Sequence, residues 1–96
     1  MTLAELRATK RDEIIRIATR RGARNIRVFG SVARGESDTR SDIDLLVDLE
    51  PGRSLLDLSG LQRDLESLLA SKVDVVSSRG LRDRVRATVL RDAVPL

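Results

Sequence analysis

The chain contains no cysteine, no histidine, no tryptophan and no tyrosine. Without cysteine there is no disulfide framework and no thiolate metal site. Without histidine the usual zinc ligand and the usual neutral-pH base are both missing, so Ser-His-Asp and Cys-His triads are excluded. Phe29 is the single aromatic residue. A platform for stacking single-stranded bases is therefore unsupported, and Leu, Val, Ile and Ala must fill the interior. We expect Phe29 itself to sit in a strand and join the core. No apolar run approaches the length of a membrane span, and no signal-peptide pattern is present. The expected setting is the cytoplasm, with no membrane association.

What remains is enough for one domain, spanning residues 1–96. A chain of this size buries roughly 60–65% of its unfolded surface, which leaves a modest stability margin. Charged residues make up 34% of the chain, and the net charge of +3 conceals a segregation. Residues 1–30 carry net +5, residues 31–78 net −5 and residues 79–96 net +3. Sixteen of the eighteen basic residues are Arg, whose planar guanidinium suits bidentate pairing with phosphate or carboxylate. A phosphate-bearing ligand, an acidic partner and a solvated Arg face all satisfy that pattern.

Local signals order the elements. Thr2 and Glu5 form a capping-box pattern that predicts a helix from residue 3, with Leu3, Leu6, Ile14, Ile17 and Ala18 at helical spacing and an interruption at Lys10. Gly22 is placed to end it as a left-handed cap. Residues 26–30 read as a strand, and residues 31–41 as a polar, turn-rich segment with room for one helical turn. Residues 42–49 alternate as a second strand, with 43, 45, 47 and 49 apolar on one face and Asp42, Asp44 and Asp48 on the other beside Leu46. Pro51-Gly52 marks a turn. Ser54 with Asp57 opens a helix carrying Leu55, Leu58, Leu61, Leu65, Leu68 and Leu69, in which Gly60 is a weak point. Residues 73–77 form a third strand. After a turn at Ser77, Ser78 and Gly80, a last helix carries Leu81, Val85 and Val89, and Pro95 closes the chain. The order αβ-loop-βαβα predicts an α+β (α/β-like) domain with a small three-stranded mixed sheet and helices on one face.

The acids on the other face carry the chemistry. Aspartates at i and i+2 of one strand place their β-carbons about 6–7 Å apart on the same side of a sheet. Two carboxylates so placed repel unless a hard divalent cation such as Mg²⁺ lies between them. Asp74, flanked by Val73 and Val75, points away from the apolar face of its own strand and becomes a third ligand if the two strands are neighbours. The plain alternative for Asp42 and Asp44 is an acidic strand edge in water. Asp48, further along, reads as solvated or salt-bridged. Gly30-Ser31 directly follows the first strand, where Gly admits close approach of the backbone to a ligand and Ser31 offers a donor to phosphate oxygens. Alone it is an ordinary turn, and it gains weight from the fixed distance to Asp42-Ile43-Asp44.

Written out, GSVARGESDTRSDID resembles the Gly-Ser-x10-Asp-x-Asp signature of the polymerase-beta-type nucleotidyltransferase superfamily. Its Gly-Ser-x-Ala-Arg-Gly start and Ser-Asp-Ile-Asp end look like the minimal nucleotidyltransferase (MNT) branch. The likeness covers nearly the whole chain, since Val-Asp-Val-Val at 73–76 and the terminal Arg-Asp-Ala-Val-Pro-Leu also match. The resemblance implies a nucleotidyltransferase palm. It implies that Gly30 and Ser31 hold the triphosphate of ATP, that Asp42 and Asp44 bind two Mg²⁺, and that Asp74 completes the second metal and favours deprotonation of the attacking hydroxyl. It also implies an antitoxin that AMPylates a tyrosine of a cognate HEPN-type RNase toxin. Arg34 and Arg40, in the connecting loop, either reach phosphate oxygens or are solvated.

A chain of 96 residues holds such a palm with no further domain for nucleic acid, so no sequence-specific nucleic-acid binding is expected. A protein acceptor fits best, which makes a hetero-oligomer the expected state. The helix 55–69 supplies either an interface through Leu56 or simply core. Two rival functions stand beside AMP transfer. One is a non-catalytic antitoxin that occludes its partner sterically. The other is a small-molecule nucleotidyltransferase, which the missing substrate domain counts against.

Overall fold

We describe residues 1–36 and 42–96 of a computed structural model of the chain. The first helical stretch has three parts: α1 (Leu3–Glu5), a π turn (Leu6–Lys10) and α2 (Arg11–Arg20). The Thr2 hydroxyl accepts from the Glu5 amide at 3.1 Å, as a cap should. The sequence interruption at Lys10 coincides with the end of the π turn, where its backbone leaves helical geometry at φ −124° and ψ −9°. Gly22 follows α2 at φ +74°, the left-handed conformation expected of it.

Strand β1 spans Ala23–Phe29, starting three residues before the predicted 26–30. The early start goes with a bulge between Arg24 and Arg27, where Asn25 takes φ +53° and Asp48 accepts from its amide. A short helix α3 (Gly30–Arg34) comes next, and then β2 (Ile43–Leu49), which leaves Asp42 just outside the strand. Helix α4 (Leu55–Leu69) opens with the predicted capping box, in which Ser54 and Asp57 satisfy each other's backbone amides. Gly60 is not a defect in this helix. A Cβ there would run into the guanidinium of Arg21, which crosses to Asp64 at 3.0 Å. Strand β3 (Val73–Ser77), a 3₁₀ turn (Ser78–Gly80) and α5 (Asp83–Asp92) complete the expected order.

Among the described residues the sheet has four strands, which corrects the prediction of three. Val94–Pro95 forms a short β4 antiparallel to β1, and the strand order is β3-β2-β1-β4. Proline is tolerated there because β4 is an edge. The tail is tied down by the Leu96 amide donating to Ile26 O at 3.1 Å and by Arg11 Nε donating to Leu96 O at 2.9 Å. Arg7 also donates to Pro95 O. Strands β1 and β2 are antiparallel, and β2 and β3 parallel. One core lies on the face where α2 and α4 pack. Ile14 and Ala18 meet Leu61, Leu65 and Leu69 over Ile43, Leu45, Val47, Val73 and Val75. Helix α5 buries none of its own residues and rests instead on β1 and α3.

Candidate active site

Register brings the carboxylates together. In the parallel pairing of β2 with β3, Asp44 lies directly opposite Asp74, as the sequence required if these strands were neighbours. Both face away from the apolar core, because their flanking residues Ile43, Leu45, Val73 and Val75 are buried in it. Asp44 is half-buried, while Asp42 and Asp74 are exposed. Burial pushes the Asp44 carboxyl above its ordinary range, and the negative charges of Asp74 and Asp42 push it further. Arg34 acts on it in the opposite sense.

Gly30 and Asp44 are made for each other. Gly30 takes φ +73°, and a Cβ at that position would fall on Asp44 Oδ2 and stand 3.2 Å from its Cγ. The glycine of the Gly-Ser pair thus makes room for the second aspartate of the Asp-x-Asp pair. Ser31 follows at the start of α3, half-buried.

The remaining predicted residues behave less simply. The Asp42 carboxylate stands 3.9 Å from Lys72 Nζ, a residue that carried no signal in the sequence. Among the described residues no three His, Cys, Asp or Glu side chains already close around a point where a metal would sit, so the predicted convergence of three carboxylates is incomplete. The donor chemistry still fits a hard divalent cation, since all three candidates are carboxylates and Asp44 has a charge that its surroundings leave undercompensated. Arg34 ends α3 and is exposed, but it is not unpartnered. It donates through Nη1 to Asp92 at 2.7 Å and through Nε to Glu36 at 3.0 Å, and hydrogen bonds to Glu36 and then Asp92 hold its pKa above the usual value. Arg40 lies outside the described residues. Phe29 is a further correction. It pairs with Asp44 and is only half-buried, and since its neighbour Val28 fills the core, alternation turns the ring to the carboxylate side.

Asp48 is salt-bridged, one of its two sequence readings, and belongs to the scaffold. It accepts from Asn25 at 2.9 Å, Ser78 at 2.7 Å and Arg27 at 2.7 Å. These hydrogen bonds, Asn25 first and Ser78 second, hold its carboxyl below the ordinary range. A lowered folded-state pKa adds stability above the unfolded value, and that stability is lost as pH falls through the folded value. The Asp48 side chain is 37% exposed, so solvent screening discounts these interactions. Asp48→Asn should therefore cost under about 1 kcal/mol at pH 7 and less in acid, read as a melting-temperature loss that shrinks below about pH 4. A pH-independent loss would show that the carboxylate charge contributes nothing.

The nucleotidyltransferase domain family matches residues 11–95. The chain belongs to the nucleotidyltransferase family, in its minimal branch. It is 40% identical over 94 residues to the protein adenylyltransferase MntA of Thermococcus cleftensis, covering 98% of this chain and 95% of that protein. A solved structure provisionally described as a minimal nucleotidyltransferase superposes with a TM-score of 0.86 at 53% identity, covering all of this chain and 97% of the other. A crystal structure of a toxin–antitoxin with AMP-PNP superposes with a TM-score of 0.78 at 25% identity, over 90% of this chain and 71% of that one. This minimal nucleotidyltransferase thus has the fold of its relatives, with Asp44 packed against Gly30 on one side and paired with Asp74 on the other. Among the described residues no helix is long and apolar enough to cross a membrane.

Proposed function

We propose that this nucleotidyltransferase moves AMP from ATP to a tyrosine hydroxyl of a cognate HEPN-type toxin, in the cytoplasm and with Mg²⁺, and so acts as an antitoxin. The observation that carries the reading is the Gly30–Asp44–Asp74 arrangement, a half-buried carboxylate held among like charges by a glycine with no room for a side chain. A pure binding surface has no physical need for such a cluster. The naming of MntA as a protein adenylyltransferase and the nucleotide in the toxin–antitoxin crystal support it.

In this reading Gly30 and Ser31 face the triphosphate, and Arg34 stands at the rim as a cation toward its oxygens. Asp42, Asp44 and Asp74 would hold Mg²⁺. When bound, the metal supplies charge neutralisation at the attacking and leaving oxygens of the displacement. The toxin hydroxyl forms a bond to the α-phosphorus as the bond to the bridging oxygen breaks and pyrophosphate leaves. Asp74, exposed and next to Asp44, favours deprotonation of the attacking hydroxyl. No histidine is required. Leu55 and Leu56, 78% and 81% exposed at the start of α4, are apolar surface consistent with a protein partner.

Intact mass spectrometry of the partner toxin after incubation with this protein, ATP and Mg²⁺ tests the proposal, with Asp42→Asn run in parallel. AMP-sized increments on the toxin that disappear with the variant are the expected result. A stable complex with both proteins and no increment with either would establish the steric antitoxin instead.

A further inference from the structure

The nucleotide-transfer reading leaves the terminal Arg-Asp-Ala-Val-Pro-Leu segment without a role beyond its strand. Asp92 stands out in it. As the last residue of α5 it places an acid at the helix end whose macrodipole disfavours negative charge. Helix stability therefore gives no reason for an aspartate here. Core packing gives none either, since no residue of α5 is buried. What Asp92 does contact is Arg34, whose Nη1 donates to Asp92 Oδ2 at 2.7 Å.

Arg34 is one helical turn past Ser31 in α3, so the two share a face directly after Gly30. Its guanidinium is planar and delocalised, and its value to a phosphate depends on orientation as much as on charge. Glu36 accepts from Nε at 3.0 Å while Asp92 takes Nη1, so two separate edges of the fork are fixed. The Asp92 side chain is 21% exposed, whereas Glu36 is 65% exposed, so Asp92 is the more firmly embedded of the two anchors. The cation held in this way is near enough to Asp44 to act on its carboxyl.

We infer that Asp92 is a positioning residue, through which the C-terminal helix aims the Arg34 guanidinium at the triphosphate of the incoming nucleotide. The inference rests on the nucleotide-transfer reading. It makes α5 part of the nucleotide site although none of its residues touches substrate.

The test compares wild type with Asp92→Asn and Asp92→Glu, measuring ATP binding by calorimetry with Mg²⁺, steady-state KM and kcat, and melting temperature. Asp92→Asn keeps the shape of the side chain and relieves the helix-end charge, so the variant should fold. Expected for it are a five- to thirtyfold weaker ATP binding and a matching rise in KM, with kcat within about threefold of wild type. Asp92→Glu should recover part of the affinity. An Asp92→Asn protein that binds ATP like wild type would overturn the inference, as would a lower melting temperature with KM unchanged, the result for a strut between α3 and α5. Failure of the wild type itself to bind ATP would remove the underlying reading, a result separable from the other two.

Discussion

Asp44→Asn is expected to abolish nucleotide transfer while raising the melting temperature of the metal-free protein. The two effects have one origin. Asp44 is half-buried, faces Asp74 across the parallel pairing and feels Asp42 as a second like charge. Its folded-state pKa is raised above the unfolded value. It therefore favours the fold fully below the unfolded value, and that contribution is lost as pH rises through the folded value. At pH 7 the ionised carboxylate works against the metal-free fold, and an amide of the same shape removes that penalty. The gain should be a few degrees at pH 7, up to about 5 °C, and should vanish near pH 3 where the wild-type carboxyl is protonated. Loss of the carboxylate should reduce transfer by roughly a thousandfold or more, about 4 kcal/mol of transition-state stabilisation. Thermal melts across pH, paired with the toxin-modification assay, check both halves. Transfer at more than a tenth of the wild-type rate would remove Asp44 from the reaction, and a lower melting temperature at pH 7 would show that it is a net stabiliser.

Gly30→Ala is expected to damage both stability and activity, through a side chain of one carbon. The backbone at φ +73° is disfavoured for any residue with a Cβ by about 1–2 kcal/mol. The added methyl would also occupy the place of Asp44 Oδ2 and push the carboxylate out of line. A loss of roughly 5–15 °C in melting temperature and of about a hundredfold in transfer should follow. The second part of the loss can be isolated. In an Asp44→Ala background the collision is gone and only the backbone strain remains, so the stability cost of Gly30→Ala should shrink. Equal cost in both backgrounds would mean that Gly30 and Asp44 are not coupled, and that the glycine serves its turn alone.

Much of this was legible in the chain because it is local. Ser54 and Asp57 cap α4 through atoms three residues apart, and Gly22 ends α2 by its own backbone freedom. The alternation through β2 sent Ile43, Leu45 and Val47 to the core and Asp44 and Asp48 away from it, since the period of two is set by the pleat. The spacing from Gly30-Ser31 to Asp44 survives folding as a close approach, so Gly30 and Asp44 become neighbours although they lie fourteen positions apart in the chain.

What the chain alone left open depended on distant partners. Val94–Pro95 has no periodicity of its own, and it becomes a strand only because β1 offers an open edge. Val28 and Phe29 are both apolar, so alternation could not say which one faces the core until β2 and the helices were in place. Asp48 was an acid among acids until Asn25, Arg27 and Ser78 arrived from two other elements. Arg34 and Asp92 are 58 residues apart, and Asp42 and Lys72 meet across a parallel crossover, so no window of sequence holds either pair. The sequence by itself determined most of the elements, the apolar face and which carboxylates are candidates for the site, because propensity, capping and alternation act over a few residues. Only the tertiary structure decided which charges are neutralised and which are left to repel, because electrostatic energy depends on distance and burial rather than on order along the chain.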